Sequence, residues 1–262
     1  MSIHHARTPT RIDLAGGWTD VPRFAEEVPG AVLNYAITLY SHVRVEDVEG
    51  DRVMLRSLDF DETAHMPVGQ AIADADLTGP FGLVKAALRR RPARSGVSIL
   101  SRSEAPPGSG LGTSAAMGVA LVGALGRATG VPDDTKATAE TAVALETEEL
   151  RILSGKQDHY ASTLGGAQFM TFDGPDVTTT RLPLSPEATA ELRRRVVLVA
   201  RRSGTRRSGT ARTTRAPSIR PRAPPPRRPP RTTRRARSWR GSSGWQCRER
   251  RSPRPSPDLV LK

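Results

Sequence analysis

Ala105-Pro-Pro-Gly-Ser-Gly-Leu-Gly-Thr-Ser-Ala-Ala116 decides how the rest of this chain reads. Pro106 and Pro107 stiffen its approach, and Gly108, Gly110 and Gly112 alternate with Ser109 and Leu111. Thr113 and Ser114 then open a helix-compatible, alanine-rich run from Ala115 to Arg127. Glycines let backbone amides come close to a ligand. A helix starting just past such a loop aims free N–H groups and a positive dipole end at it, a setting suited to phosphate. The loop lacks the lysine of G-x-x-x-x-G-K-[ST], and its glycines are not spaced as G-x-G-x-x-G. A nucleotide held here is held by a third design; the plainer alternative is a tight strand-to-helix turn.

On the N-terminal side, Gly96-Val-Ser-Ile-Leu100 predicts a strand feeding the loop, and Leu77 to Arg91 contains an amphipathic helix with Phe81, Val84, Ala87 and Leu88 at helical spacing. Arg11-Ile-Asp-Leu14 alternates as a strand does, with Gly16-Gly17 as the turn that ends it. Ala31–Ile37, His42–Glu46 and Val53–Arg56 predict three more strands. On the C-terminal side, the helix through Arg127 is expected to stop near Gly130-Val-Pro132. Asp133 or Asp134 can cap a second helix reaching about Leu150. Gly155–Ser162 predicts a turn into a short helix stopped at Gly165-Gly166, followed by a strand at Gln168–Phe172. Arg195-Val-Val-Leu-Val199, almost wholly apolar, is expected to be a buried strand. The fold class is α+β.

The whole-chain charge of +13 hides two unlike parts. Residues 1–200 carry a net −5, and residues 201–262 a net +18. Basicity therefore belongs to the last 62 residues, where Arg, Pro, Ser, Thr, Gly and Ala dominate and core-forming residues nearly vanish. Such a segment cannot offset the entropy of ordering itself and is expected to be disordered. Cys247 is the only cysteine, which excludes an intrachain disulfide and a cysteine zinc cluster. The N-terminus has no signal-peptide core and no run approaches membrane-spanning length, so a cytoplasmic location with no membrane partner is expected.

Three blocks in order resemble the GHMP small-molecule kinases: Pro9-Thr-Arg-Ile-Asp-Leu-Ala-Gly-Gly-Trp-Thr-Asp20, Pro106–Ala116 and Gly155-Lys-Gln-Asp158. The match is closest to the heptose 7-phosphate kinase and L-fucokinase type, and covers about residues 5–200. The resemblance implies a GHMP kinase N-terminal domain (ribosomal protein S5 domain 2-like) over 1–172. Residues 173–200 would begin a truncated C-terminal lobe, and 201–262 would form a basic tail. Family members continue well past position 200 with a further glycine-rich motif that 201–262 do not match. An out-of-frame reading of a GC-rich gene is expected for the tail, and sequencing across codon 200 tests it.

The resemblance also implies ATP and Mg2+ as cofactors and a sugar or sugar phosphate as acceptor, phosphorylated at an anomeric hydroxyl. Pro107, Gly108, Ser109, Gly110, Leu111, Gly112, Thr113 and Ser114 would wrap the phosphates. Ser114 and Glu146 would hold the metal, although Glu148 and Glu149 beside Glu146 leave a solvated helix face as the alternative. Asp158 would meet the acceptor hydroxyl, with Arg11 as its basic partner; a helix N-cap is the alternative for Asp158. Asp20, Trp18 and Gly17 would contact the acceptor, Trp18 either stacking on a sugar or packing. Lys156 and Gln157 can line the site or lie on the surface, and the five histidines share no metal-ligand spacing. A binding module without catalysis is the first rival reading. Non-specific nucleic-acid binding through the tail is the second.

Overall fold

The computed structural model describes residues 2–74 and 76–199. The disorder and frameshift expected for 201–262 lie outside the described residues. Among the described residues seven strands form one mixed sheet, in the order Glu62–Pro67 (β4), Arg52–Ser57 (β3), Val97–Ser103 (β5), Gly30–Asp47 (β2), Ala167–Asp173 (β6) and Asp176–Leu182 (β7), with Ile3–Ala15 (β1) paired to β2. The order along the chain begins β1 (Ile3–Ala15), α1 (Pro22–Ala25), β2 (Gly30–Asp47), β3 (Arg52–Ser57) and β4 (Glu62–Pro67). It continues through α2 (Val68–Ala73), α3 (Gly82–Arg90), β5 (Val97–Ser103), α4 (Thr113–Ala128) and α5 (Thr135–Ala144). A π-helical turn (Leu145–Glu149), α6 (Gln157–Leu164), β6 (Ala167–Asp173), β7 (Asp176–Leu182) and α7 (Pro186–Arg195) complete it.

β2 is the spine. Its first half pairs β6, its second half pairs β5, and β1 runs antiparallel along both. Two strands were expected where β2 is one, because Thr38-Leu-Tyr-Ser41 contains no Gly or Pro and both halves find partners. β1 crosses Pro9 without breaking: among the described residues β1 pairs only β2, and its register shifts between Pro9 and Thr10, where a missing N–H is tolerated. β3 alternates exposed and buried along its length, so one face of the sheet turns inward. Against that face lie Leu88, Leu121, Leu125 and Leu145 from the helices, meeting Val43, Val45, Leu55 and Ile99 from the strands. A second cluster joins Val32, Met170 and Phe172 to Tyr160 and Ala161 of α6.

α4 lies at the centre, with ten of its residues buried, including Gly118 and Gly126. Thr8 of β1 donates to the Ala116 carbonyl at 2.6 Å, tying the sheet to the first turn of α4. Asp134 caps α5 by accepting from the Ala137 amide at 2.8 Å. The apolar stretch Val196–Val199 is not a strand and lies exposed. It follows α7, none of whose residues is buried, and no strand pairs with it among the described residues, so nothing there supplies the burial its composition would suit. α3, the amphipathic helix expected within Leu77–Arg91, runs from Gly82 to Arg90, after Gly79-Pro80. No helix among the described residues is long and apolar enough to cross a membrane.

Candidate active site

β5 delivers the chain to the glycine loop, and α4 takes it away. Gly110 and Gly112 have φ of +76° and +71°, in the left-handed region that favours glycine. Gly112 is the N-cap of α4 and supplies no side chain to it. The first bond inside the helix runs from the Ala116 amide to the Gly112 carbonyl at 2.9 Å. The amides of Thr113, Ser114 and Ala115 therefore precede the helical ladder and face the loop, as an anion site requires. Ser109 Oγ lies 3.2 Å from Thr113 Oγ1, bracing the loop across its own turn.

Two cavities flank this loop. One, of about 540 Å3, is lined largely by apolar groups, among them Phe60, Leu77, Met117 and Leu150, with Pro107, Gly108, Thr113 and Ser114 at its loop end. Asp59 on its wall accepts twice from the Ser103 amide, at 2.9 and 3.0 Å, which pins the end of β5. The other, of about 340 Å3, is more polar, with Arg11, Asp13, Asp20 and Asp158 set among Trp18, Val21, Gly110 and Leu153. The loop is the wall between an apolar chamber and a chamber of carboxylates.

Arg11 and Asp158 meet at this wall. Arg11 Nε donates to Asp158 Oδ1 at 2.7 Å, and Nη2 lies 2.6 Å from the same oxygen. Nη1 donates to the Gly110 carbonyl at 2.7 Å, and the Arg11 amide to the Leu111 carbonyl at 3.0 Å. One arginine thus fixes both the loop and the carboxylate. Burial pushes Asp158 above the usual aspartate range; Arg11 opposes that shift without cancelling it, and the nearby Asp20 charge adds to it. The Asp158 side chain is still a quarter exposed, toward the polar cavity.

Asp158 is the second residue of α6 and does not cap it. Asp20 serves that end: Oδ2 accepts from the Gln157 amide at 2.9 Å, and Oδ1 from Gln157 Nε2 at 3.3 Å. Asp20 is only 3% exposed, so its first task is to hold α6. A Cβ on Gly155 would stand 2.0 Å from Asp20 Oδ2, so only glycine permits this approach. Trp18 is 77% exposed on the rim of the polar cavity, so it does not pack into the fold. Gly17 sits against Asp13, where an added Cβ would lie 2.2 Å from Oδ2.

Glu146 lies in the π-helical turn and is 5% exposed. Ser154 Oγ donates to its Oε2 at 2.7 Å, and His159 Nε2 lies 3.4 Å from the same oxygen. Burial works against its charge, but His159, Ser114 and Ser154 together hold the carboxyl down to about 2. Glu146 is therefore an ionised carboxylate beside Ser114, and one carboxylate with one hydroxyl suits a magnesium ion that keeps most of its water and phosphate ligands. Glu148 and Glu149 point elsewhere: Arg90 pairs with both, and Arg89 with Glu149.

The structure thus brings together Arg11, Asp20, Trp18, Gly110 and Asp158 on one side of the loop, and Pro107, Gly108, Thr113 and Ser114 on the other. Lys156 turns away and donates to the Pro175 carbonyl at 2.6 Å, whereas Gln157 holds Asp20. Asp13, Asp59, Phe60, Leu77 and Ser154 were not singled out from sequence. Only Asp13 carried a signal, lying two residues after Arg11 on an alternating strand.

Residues 81–166 match the model of the GHMP kinases N terminal domain. The chain is 30% identical over 206 residues to D-glycero-alpha-D-manno-heptose 7-phosphate kinase of Campylobacter jejuni, covering 76% of this chain and 59% of that protein. It is 32% identical to L-fucokinase/L-fucose-1-P guanylyltransferase of Bacteroides fragilis, covering 63% of this chain and 20% of that protein. A crystal structure of D-glycero-D-manno-heptose 1-phosphate kinase from Bacteroides thetaiotaomicron superposes with a TM-score of 0.66 at 26% identity, covering 73% of this chain and 63% of that one. The chain therefore spans about three fifths of the heptose kinases it matches and a fifth of the fucokinase. With the glycine loop, the Arg11–Asp158 pair and these matches together, the chain carries a GHMP kinase N-terminal domain.

Proposed function

We propose that this domain binds ATP and a sugar or sugar phosphate and directs phosphoryl transfer from the one to a hydroxyl of the other. The observation that carries this reading is the glycine loop standing as the shared wall of a largely apolar cavity and a carboxylate-lined one, with Arg11 and Asp158 at the junction. The apolar cavity suits a base and ribose, and the loop amides of Thr113–Ala115 suit phosphates. The polar cavity offers Asp13, Asp20 and Asp158 as acceptors for sugar hydroxyls, with Arg11 as the cation among them. That lining favours the hydroxylated end of an acceptor over its phosphate.

In this reading Asp158 orients the acceptor hydroxyl and takes its proton as the hydroxyl oxygen bonds to the γ-phosphorus and the bond to the bridging oxygen of ADP breaks. Its raised pKa makes it a better proton acceptor once ionised. Arg11 neutralises charge on the phosphoryl group as it passes Gly110. Ser114 and Glu146 would hold Mg2+, which supplies further neutralisation of phosphate charge.

The test uses the purified chain with Mg·ATP and, in parallel, D-glycero-D-manno-heptose 7-phosphate and L-fucose, following ADP release and thermal melting. Acceptor-dependent ADP that Asp158→Asn removes supports the reading. Stabilisation by Mg·ATP with no turnover reduces it to a binding module. Neither turnover nor stabilisation rejects it.

A further inference from the structure

We propose that His159 is a positioning residue for Glu146: its imidazole holds one oxygen of that carboxylate so that the other is offered toward Ser114 and the cation accompanying the nucleotide. The inference rests on the reading of Ser114 and Glu146 as the cation's ligands.

His159 is completely buried, and neither ring nitrogen makes a hydrogen bond to any of the described residues. An unsatisfied buried polar group costs about 1–3 kcal/mol, which a leucine of similar size would avoid. The ring nevertheless stands with Nε2 3.4 Å from Glu146 Oε2, a few tenths of an ångström beyond a hydrogen bond. Ser154 donates to that same oxygen at 2.7 Å. Two groups from different segments thus converge on Oε2, and swinging the carboxylate would separate it from both. Oε1 is the oxygen that neither of them engages.

The place of His159 in the chain adds a second argument. The first turn of α6 carries Gln157, bonded to Asp20; Asp158, bonded to Arg11; and His159, against Glu146. One rigid helical turn therefore sets the acceptor-side carboxylate and the cation-side carboxylate relative to each other. A group that merely filled space here would not need nitrogen atoms, whereas one that orients a ligand does. Groups that orient a metal ligand typically govern affinity by about 10- to 100-fold.

The variants His159→Gln and His159→Phe separate the two roles. Glutamine keeps an N–H donor of similar reach, and phenylalanine keeps the buried ring without one. Free Mn2+ is measured by electron paramagnetic resonance in mixtures of the protein with ATP, and thermal melts report folding. His159→Phe is expected to weaken Mn2+ binding by about 10-fold or more, and His159→Gln to stay within about threefold of wild type. Added to Glu146→Gln, His159→Phe is expected to cause no further loss. Equal losses in the two His159 variants, or wild-type affinity in a folded His159→Phe, overturn the inference while leaving Glu146 as a ligand if Glu146→Gln is impaired. Unchanged affinity in Glu146→Gln overturns the reading of Glu146 and the inference with it. Should His159→Phe fail to fold, the wild-type protein decides: the His159 ring 15N resonances, assigned by their absence in His159→Gln, must shift when Mg2+ is added to the ATP-bound chain. Resonances that stay in place overturn the inference.

Discussion

At the residue scale, the site is governed by two carboxylates pushed in opposite directions. Glu146 is held down to about 2 by its polar neighbours, whereas burial moves Asp158 up. A carboxyl whose pKa is lower folded than unfolded adds stability above its unfolded pKa, and loses it as pH falls through the folded one. Glu146→Gln in metal-free protein should therefore cost about 3 kcal/mol above pH 4.5, with the difference from wild type shrinking as pH falls toward 2. Denaturant titrations at a series of pH values check this; a difference that is flat with pH would mean Glu146 is not held ionised. Asp158 behaves in the other sense. Because Arg11 opposes the upward push of burial, Arg11→Met should raise the Asp158 pKa further. The acid limb of kcat/KM for the proposed transfer then moves to higher pH, and a pH–rate profile with an unmoved limb would separate Arg11 from the titration of Asp158.

At the element scale, the loop and the helix behind it hold the geometry, and their glycines differ in what they protect. An alanine at Gly110 or Gly112 meets a left-handed backbone, a cost of about 1–2 kcal/mol. An added Cβ at Gly110 meets no atom within 4 Å, but one at Gly112 comes within 3.1 Å of the Asp158 carboxylate. Both substitutions should lower the melting temperature alike, and Gly112→Ala alone should also displace Asp158 and lower turnover at saturating ATP. Equal kcat losses in the two variants would show that the Gly112 contact is immaterial. Legibility follows the same division. The loop, α4 and the Asp134 cap of α5 were readable because their signals are local: glycine, proline, a capping aspartate and an alanine-rich run. Glu146 was reached through the family resemblance, but its burial was not visible among three neighbouring glutamates. The first half of β1 and the continuity of β2 were missed because edge position and pairing, which rescue Pro9 and bridge Thr38–Ser41, depend on distant strands. Val196–Val199 failed for the converse reason: an apolar run becomes a buried strand only where another element covers it.

At the scale of the whole molecule, the two-cavity arrangement is what sequence conceals most. Phe60 follows β3, Leu77 precedes α3, Met117 lies on α4 and Leu150 follows the π-helical turn, yet all four line one chamber. Each is unremarkable alone, and only the parallel pairing of β3 with β5 and the packing of α3 and α4 over the sheet gather them. Asp13 and Trp18, by contrast, come from the end of β1 and the turn after it, and line the opposite chamber. The loop between the chambers contributes Gly108 to one and Gly110 to the other, so the two ligands should touch different side chains and meet only over the loop. Phe60 is about half exposed, so its removal should leave stability nearly unchanged. Loss of an aromatic wall is worth about 0.5–1.5 kcal/mol, and Phe60→Ala should therefore weaken ATP by about threefold to tenfold without altering the acceptor KM. Asp13→Ala should do the reverse, raising the acceptor KM while leaving ATP binding as it was. Isothermal titration with ATP and initial rates against acceptor measure both. If either substitution weakens both ligands equally, the chambers are not separate sites, and the assignment of nucleotide to the apolar side and sugar to the carboxylate side falls.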